Sequence, residues 1–224
     1  MNIDILHQPA HSVARVQLAA GESVTAESGA MVSTSAHVTM TTSAGGLKSG
    51  LKRLLGSESF FRNTFTAEET AGEVLLAPAL CGDLAVADVN ASNLFIASSA
   101  YVGGDSTVDL QTKVGGFKGF LSGAGLFILR ATGQGKVIFG AFGALECLDI
   151  DGELLIDTGH LVAWEDSDQL QYTVTKASSG WIASFLSGEG LVCRFKGTGK
   201  VWVQTRNPSD YGAEIGRLLP PREN

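Results

Sequence analysis

The chain has little of what disulfide-stapled, nucleic-acid-binding or membrane-spanning proteins depend on. Its only cysteines, Cys81, Cys147 and Cys193, are far apart and odd in number, which argues against a disulfide framework. Each sits among apolar residues as a small hydrophobe would, so all three are expected to be reduced and mostly buried. Charge is scarce at 17% against 44% hydrophobic residues, a balance that excludes a disordered chain and predicts a compact one. Positive charge is scarcer still. Sixteen Lys and Arg face 23 Asp and Glu, for a formal net charge of -7, which opposes a surface built to neutralise phosphates and argues against nucleic acid as a partner. Long apolar runs are missing too. The longest, around residues 125–129, falls far short of the roughly 20 needed to cross a bilayer as a helix. Asp4, His7, Pro9, His11 and Arg15 interrupt the first eighteen residues, which do not read as a secretory signal, so a cytoplasmic location is expected.

What is abundant is glycine, 28 of 224 residues, well above the roughly 7% of average usage. Thr, Val and Ser fill the intervals, a pattern of short strands and tight turns. The chain also matches itself. Phe120-Leu121-Ser122-Gly123-Ala124-Gly125-Leu126 recurs as Phe185-Leu186-Ser187-Gly188-Glu189-Gly190-Leu191, and Gly133-Gln134-Gly135-Lys136-Val137 as Gly197-Thr198-Gly199-Lys200-Val201. A weaker third copy runs through Leu54-Leu55-Gly56, residues 60–66 and Ala71-Gly72-Glu73-Val74. Earlier in each unit, Ser28-Gly29-Ala30-Met31-Val32, Ser98-Ser99-Ala100-Tyr101-Val102 and Thr158-Gly159-His160-Leu161-Val162 take matching places. An alternating stretch follows each: His37-Val38-Thr39-Met40-Thr41, Thr107-Val108-Asp109-Leu110-Gln111 and Tyr172-Thr173-Val174-Thr175. A period of two marks strands with one buried face. The reading is a single domain over residues 1–224, made of three units at about 13–78, 82–143 and 152–207 plus a short tail. After Asn207-Pro208 the tail is expected to form one helix through Ile215 and Leu218, ended by Pro220-Pro221.

Between the halves of every unit lies a stretch of helical rather than strand period. Leu51, Leu54 and Leu55 align with Phe117, Phe120 and Leu121, and with Ile182, Phe185 and Leu186. The i, i+3, i+4 spacing makes one apolar stripe on a short helical turn. Leu47 extends the first copy, with Lys48, Lys52 and Arg53 beside it, and Trp181 adjoins the third. These fourteen residues are the candidate surface for a partner protein or an anionic membrane, against the plainer reading of core or subunit packing.

No catalytic, cofactor or metal site is expected. Gly199-Lys200 lacks both the earlier glycine and the following Ser or Thr of a phosphate loop, because Arg194 and Val201 stand there, and reads instead as a repeated hairpin turn. Asp149, Asp151, Glu153 and Asp157 have the wrong spacing for a calcium loop, and Asp151-Gly152 reads as a turn flanked by solvated edge charges. Trp164-Glu165-Asp166-Ser167-Asp168 reads as an exposed turn. Pro9 between His7 and His11 opposes a helical metal pair. His37, placed on a strand, and His160 read as structural, and no nucleophile elbow is present.

From the first strand to the tail, the sequence resembles an uncharacterised bacterial family related to the altered-inheritance-of-mitochondria proteins of fungi. The residues that carry the likeness are Glu27-Ser28-Gly29-Ala30-Met31-Val32, Gly45-Gly46-Leu47-Lys48-Ser49-Gly50-Leu51 and Gly123-Ala124-Gly125-Leu126. The resemblance implies an all-β fold like the tryptophan RNA-binding attenuation protein, with three short double-stranded β-helix units per chain and three chains closing a ring of nine. It supplies no reaction. The expectation is therefore a noncatalytic, ring-forming homotrimeric scaffold that engages a partner or lies peripheral to a membrane. The alternative is a small-ligand or RNA binder using sites between adjacent β units.

Overall fold

The computed structural model describes residues 1–44, 61–113, 127–176 and 191–220. The described chain is predominantly β, with one α-helix. Its seventeen strands form three antiparallel sheets. The first runs β1 (Asn2–Leu6), β2 (Val13–Leu18), β7 (Gly72–Leu76), β4 (Met31–Thr34). The second runs β5 (Thr39–Ala44), β6 (Phe61–Thr66), β3 (Ser23–Glu27), β10 (Tyr101–Asp105), β13 (Lys136–Gly140), β8 (Leu84–Asp88). The third runs β11 (Val108–Lys113), β12 (Ile128–Gly133), β9 (Leu94–Ala97), β15 (Leu161–Glu165), β17 (Leu191–Gln204), β14 (Leu145–Asp157), with β16 (Leu170–Lys176) also on β17.

Alternation in the sequence becomes alternation in burial. In β2, Ala14, Val16 and Leu18 point inward, and in β3 Val24 and Ala26 do so, with intermediate or exposed residues between them. These residues pack with Phe65, Val74 and Leu76 and reach Val102 and Ile138 of the second sheet, so the first and second sheets share one core. Val137, Phe139 and Tyr101 of the second sheet meet Ile96, Leu129 and Ala163 of the third. Trp164, Phe195, Ile156 and Cys193 fill the far end.

One pairing order recurs along the chain. β2–β7–β4, β8–β13–β10 and the first half of β14 with β17 and β15 are each a trio with the latest-closing strand in the middle. Every trio slips by one residue at the same place, between Met31 and Ser33, Tyr101 and Gly103, and Leu161 and Ala163. A bulge bends its strand, so the strand that leaves each trio turns at Val32, Val102 or Val162. The segment where the central strand enters each trio is clamped alike in all three. The Ser35 hydroxyl accepts from Glu73 N at 3.0 Å, the Asp105 carboxylate from Lys136 N at 2.6 Å, and the Glu165 carboxylate from Lys200 N at 2.9 Å.

Several sequence expectations need correcting. Asp151-Gly152 is no hairpin turn. It lies inside β14, with Gly152 opposite Gly197 at φ +118. Gly197 and Gly199 likewise lie within β17, and only Gly133-Gln134-Gly135 of the second copy makes the expected turn between two strands. Residues 19–22 separate β2 from β3 and 89–93 separate β8 from β9, but the shorter connection over Asp151 leaves no such gap, so β14 runs through on Gly152 and β17 pairs with it unbroken through Gly197 and Gly199. At Gly197, φ is +115 and an added Cβ would stand 1.9 Å from the Gln169 carbonyl, so only glycine fits. Trp164 and Glu165 belong to β15, not to an exposed turn. Trp164 is fully buried, in edge contact with Tyr172 and Phe195 at 5.2 and 5.9 Å between ring centroids. Cys193 is buried as expected, but Cys81 and Cys147 are exposed, and all three are free. His37 sits in the turn before β5, where its ring meets the Ala71 carbonyl at 3.0 Å.

The tail folds as the sequence indicates, into α1 (Pro208–Leu218). Asn207 accepts from Ser209 N at the N-cap, and Pro208 opens the first turn where its missing N–H costs nothing. Tyr211 packs on Phe142 at 5.1 Å between centroids, while Ile215, Leu218 and Leu219 are exposed.

Candidate functional site

The fourteen residues singled out from sequence, Leu47, Lys48, Leu51, Lys52, Arg53, Leu54, Leu55, Phe117, Phe120, Leu121, Trp181, Ile182, Phe185 and Leu186, lie outside the described residues. Their roots are described. The three stretches join β5 to β6, β11 to β12 and β16 to β17, whose outermost pairs are Ala44 with Phe61, Lys113 with Ile128 and Lys176 with Leu191. Each stretch therefore leaves the same kind of antiparallel hairpin.

The carboxylates of the acidic cluster have separate tasks. Asp149 takes Lys200 at 2.7 Å, Glu153 takes Arg194 at 2.8 Å, and Asp157 accepts from Gly159 N at 2.7 Å. The Lys200 ammonium is held above its ordinary pKa by that hydrogen bond to Asp149. His160 meets the Gln204 carbonyl at 2.7 Å. Burial pushes the Cys193 thiol up to about 12, far from a reactive thiolate.

Two features were not singled out from sequence. The first is a pair of sheet edges. β10 pairs with β3, opposing Gly103 to Ala26, Gly104 to Thr25 and Asp105 to Val24. β15 pairs with β9 in the same register, opposing Ala163 to Ile96, Trp164 to Phe95 and Glu165 to Leu94. β4 stands where β10 and β15 stand in their trios, yet among the described residues its outer edge meets no strand. The second half of β14 stands where β3 and β9 stand, and among the described residues its outer edge is open as well. Exposure follows. Tyr101, Val102, Leu161 and Val162 are at most 4% exposed, but Met31 is 40% and Val32 56% exposed. Leu94 is 2% exposed, while its counterpart Leu154 is 36% exposed. The motif match of Met31-Val32 to Tyr101-Val102 carries this signal, which appears only when two copies are paired and one is not.

The second feature is a cavity of about 390 Å³ reached from all three sequence units. Its walls are apolar, from Leu161, Phe127, Ile128 and Phe142. Its polar lining is mostly spent. The Gln204 amide accepts from Phe142 N and donates to the Gly159 carbonyl, both at 2.9 Å, and the Tyr101 hydroxyl donates to the Thr25 carbonyl at 3.2 Å. Glu27, at the end of β3, is the exception: burial pushes its carboxyl up to about 7. Ala97 and Asp157 hold the matching places on β9 and β14, so the sequence units alone do not mark this glutamate.

The geometry defines an all-β protein of stacked antiparallel sheets, and among the described residues no helix is long and apolar enough to cross a membrane. The model of the Mitochondrial biogenesis AIM24 family matches residues 3–206, and the chain belongs to that family. It is 28% identical over 220 residues to an uncharacterised protein of Streptococcus pyogenes serotype M6, covering 93% of this chain and 87% of that one. Its fold is similar to the crystal structure of a Streptococcus pyogenes protein, with a TM-score of 0.79 at 24% identity, covering 97% of this chain and 99% of the other.

Proposed function

We propose that this protein is a noncatalytic, ring-forming scaffold in which each chain contributes three short double-stranded β-helix units and three chains join head to tail. The observation that carries the reading is the pair of open edges. β4 and the second half of β14 are complementary in kind, since their counterparts already pair twice within the chain. Different patches on the two partners make a head-to-tail contact, which closes into a ring when the rotation permits. Strand addition also removes the hazard of an exposed apolar edge. Extending the two internal registers sets Ser33 opposite Ile156, Thr34 opposite Leu155 and Ser35 opposite Leu154 of the neighbouring chain.

The stripe-bearing stretches supply the working face of this scaffold. Leaving equivalent hairpins, they would recur around the ring, where weak contacts to a partner protein or an anionic membrane add as one multivalent site.

The test is a cross-link. Directly opposed residues in an antiparallel pair have Cα atoms about 4.5–5.5 Å apart, within disulfide range. Thr34→Cys with Leu155→Cys, in a background of Cys81→Ser and Cys147→Ser, is expected to give covalent trimers on oxidation. A covalently monomeric product under the same oxidation refutes this register.

A further inference from the structure

We propose that the cavity lined by Glu27, Phe127 and Leu161 is a binding site for a small amphipathic amine, its apolar body against the walls and its ammonium on the Glu27 carboxylate. A volume of about 390 Å³ falls in the range of small-molecule sites, roughly 300–1,000 Å³. The shape of the lining names the ligand class. Phe127, Ile128, Phe142 and Leu161 offer an apolar bed. Such a bed binds an apolar body by removing its surface from water. A second requirement comes from the polar groups. Gln204 spends its side-chain oxygen on Phe142 N and donates to Gly159, Tyr101 donates to Thr25, and Asn207 Oδ1 caps α1, so these groups are already committed within the protein.

Glu27 is different. Among the described residues no hydrogen bond or ion pair is made by its carboxylate, although Arg62 stands directly across the ladder on β6. Arg62 does not line the cavity, and it does not hold the glutamate charged: burial alone raises the Glu27 carboxyl to about 7. Near neutrality the site therefore holds a carboxyl that is desolvated and poised to ionise. An ammonium group that enters the cavity gives the charged form the partner it lacks, and a charge-assisted hydrogen bond in such surroundings is about twice as strong as a neutral one. An anionic ligand meets the opposite balance. The same carboxylate repels it, so selectivity for amine over acid is built into the lining. The cavity lies within one chain, so this site stands or falls independently of ring closure.

Three probes of one shape separate charge from fit: 2-phenylethylamine, 2-phenylethanol and 3-phenylpropionate, each titrated into the full chain by NMR. The amine is expected to bind roughly tenfold more tightly than the alcohol, and the acid more weakly than either. Glu27→Gln should bring the amine to the affinity of the alcohol while leaving the alcohol unchanged. Ser99 is an exposed residue on the rim, so Ser99→Trp should leave the fold intact while weakening amine and alcohol together. The proposal is overturned if no probe saturates up to about 10 mM, if the amine binds no better than the alcohol, if Glu27→Gln leaves the preference intact, or if Ser99→Trp changes neither affinity.

Discussion

The internal junctions and the open edges are built from the same strands, yet their residues differ in a consistent way. At the internal junctions the strand leaving the bulge is Tyr101-Val102-Gly103-Gly104 or Leu161-Val162-Ala163-Trp164, fully buried in both cases. At the open edge it is Met31-Val32-Ser33-Thr34, the first three exposed and the last half-buried. An apolar pair followed by two small hydroxyls covers itself poorly in water, but it keeps the β-branched and polar character of an edge that pairs with a partner. The facing edge shows the same compromise. Leu94–Ala97 is buried throughout, while Glu153, Leu154 and Leu155 grade from exposed to half-buried before Ile156. The difference teaches that one pairing geometry serves both within the chain and, in the proposed ring, between chains.

The largest expected effect contrasts one position across the two settings. Val162→Asp places an unpaired charge in a fully buried junction, at a cost of about 4 kcal/mol or more, and should abolish soluble folded protein. Val32→Asp, at the same bulge on the open edge, should keep the β circular-dichroism spectrum while the particle falls to monomer mass. Equal damage from both, or intact assembly in Val32→Asp, breaks the comparison. Next, Gly104→Thr copies the open-edge residue Thr34 into an internal junction. Its Cβ would stand 2.8 Å from the Lys136 carbonyl, so a loss of about 1–3 kcal/mol is expected in denaturant melts. A neutral result would mean that the junction is looser than its close approach implies.

The proposed surface function gives a smaller, salt-dependent effect. Flotation with anionic vesicles at low salt should show association that Lys48→Glu with Lys52→Glu reduces while particle mass is unchanged. Absence of association, or loss of the particle, would make that stretch packing material. The smallest effect is pH-dependent. Because the Glu27 carboxyl is raised to about 7 by burial, the folded state holds the proton more tightly than the unfolded chain does. The stability this contributes is full below the ordinary glutamate range and is lost as pH rises towards 7. Glu27→Gln, which stays neutral, should melt above the wild type at pH 8, with the gap closing towards pH 5. Parallel melting curves across that range would place Glu27 in water.

The all-β class, the alternating strands and the tail helix were legible because their signals are local. Val108, Leu110 and their neighbours alternate with polar residues, and Asn207-Pro208 writes a helix start by cap chemistry. What was misread depended on context. Asp151-Gly152 carries a turn signal, but the shorter connection there forces it into a strand, and tertiary pairing overrides local propensity. Acidic residues after Trp164 suggested a surface turn, yet the strand continues through Trp164 because its ring completes the aromatic end of the core. Cys81 and Cys147 sit among apolar neighbours in sequence and are exposed in space. The open edges were hidden for a different reason. A strand's sequence does not state whether its outer side is covered, and only the contrast between β4 and its paired counterparts makes it visible.

The measurement that bears most directly on the assembly is the molar mass of the purified chain by light scattering at micromolar concentration. A head-to-tail ring of three gives three times the 23.4 kDa of one chain, falling to one on Val32→Asp. A stable wild-type monomer at that concentration would contradict it.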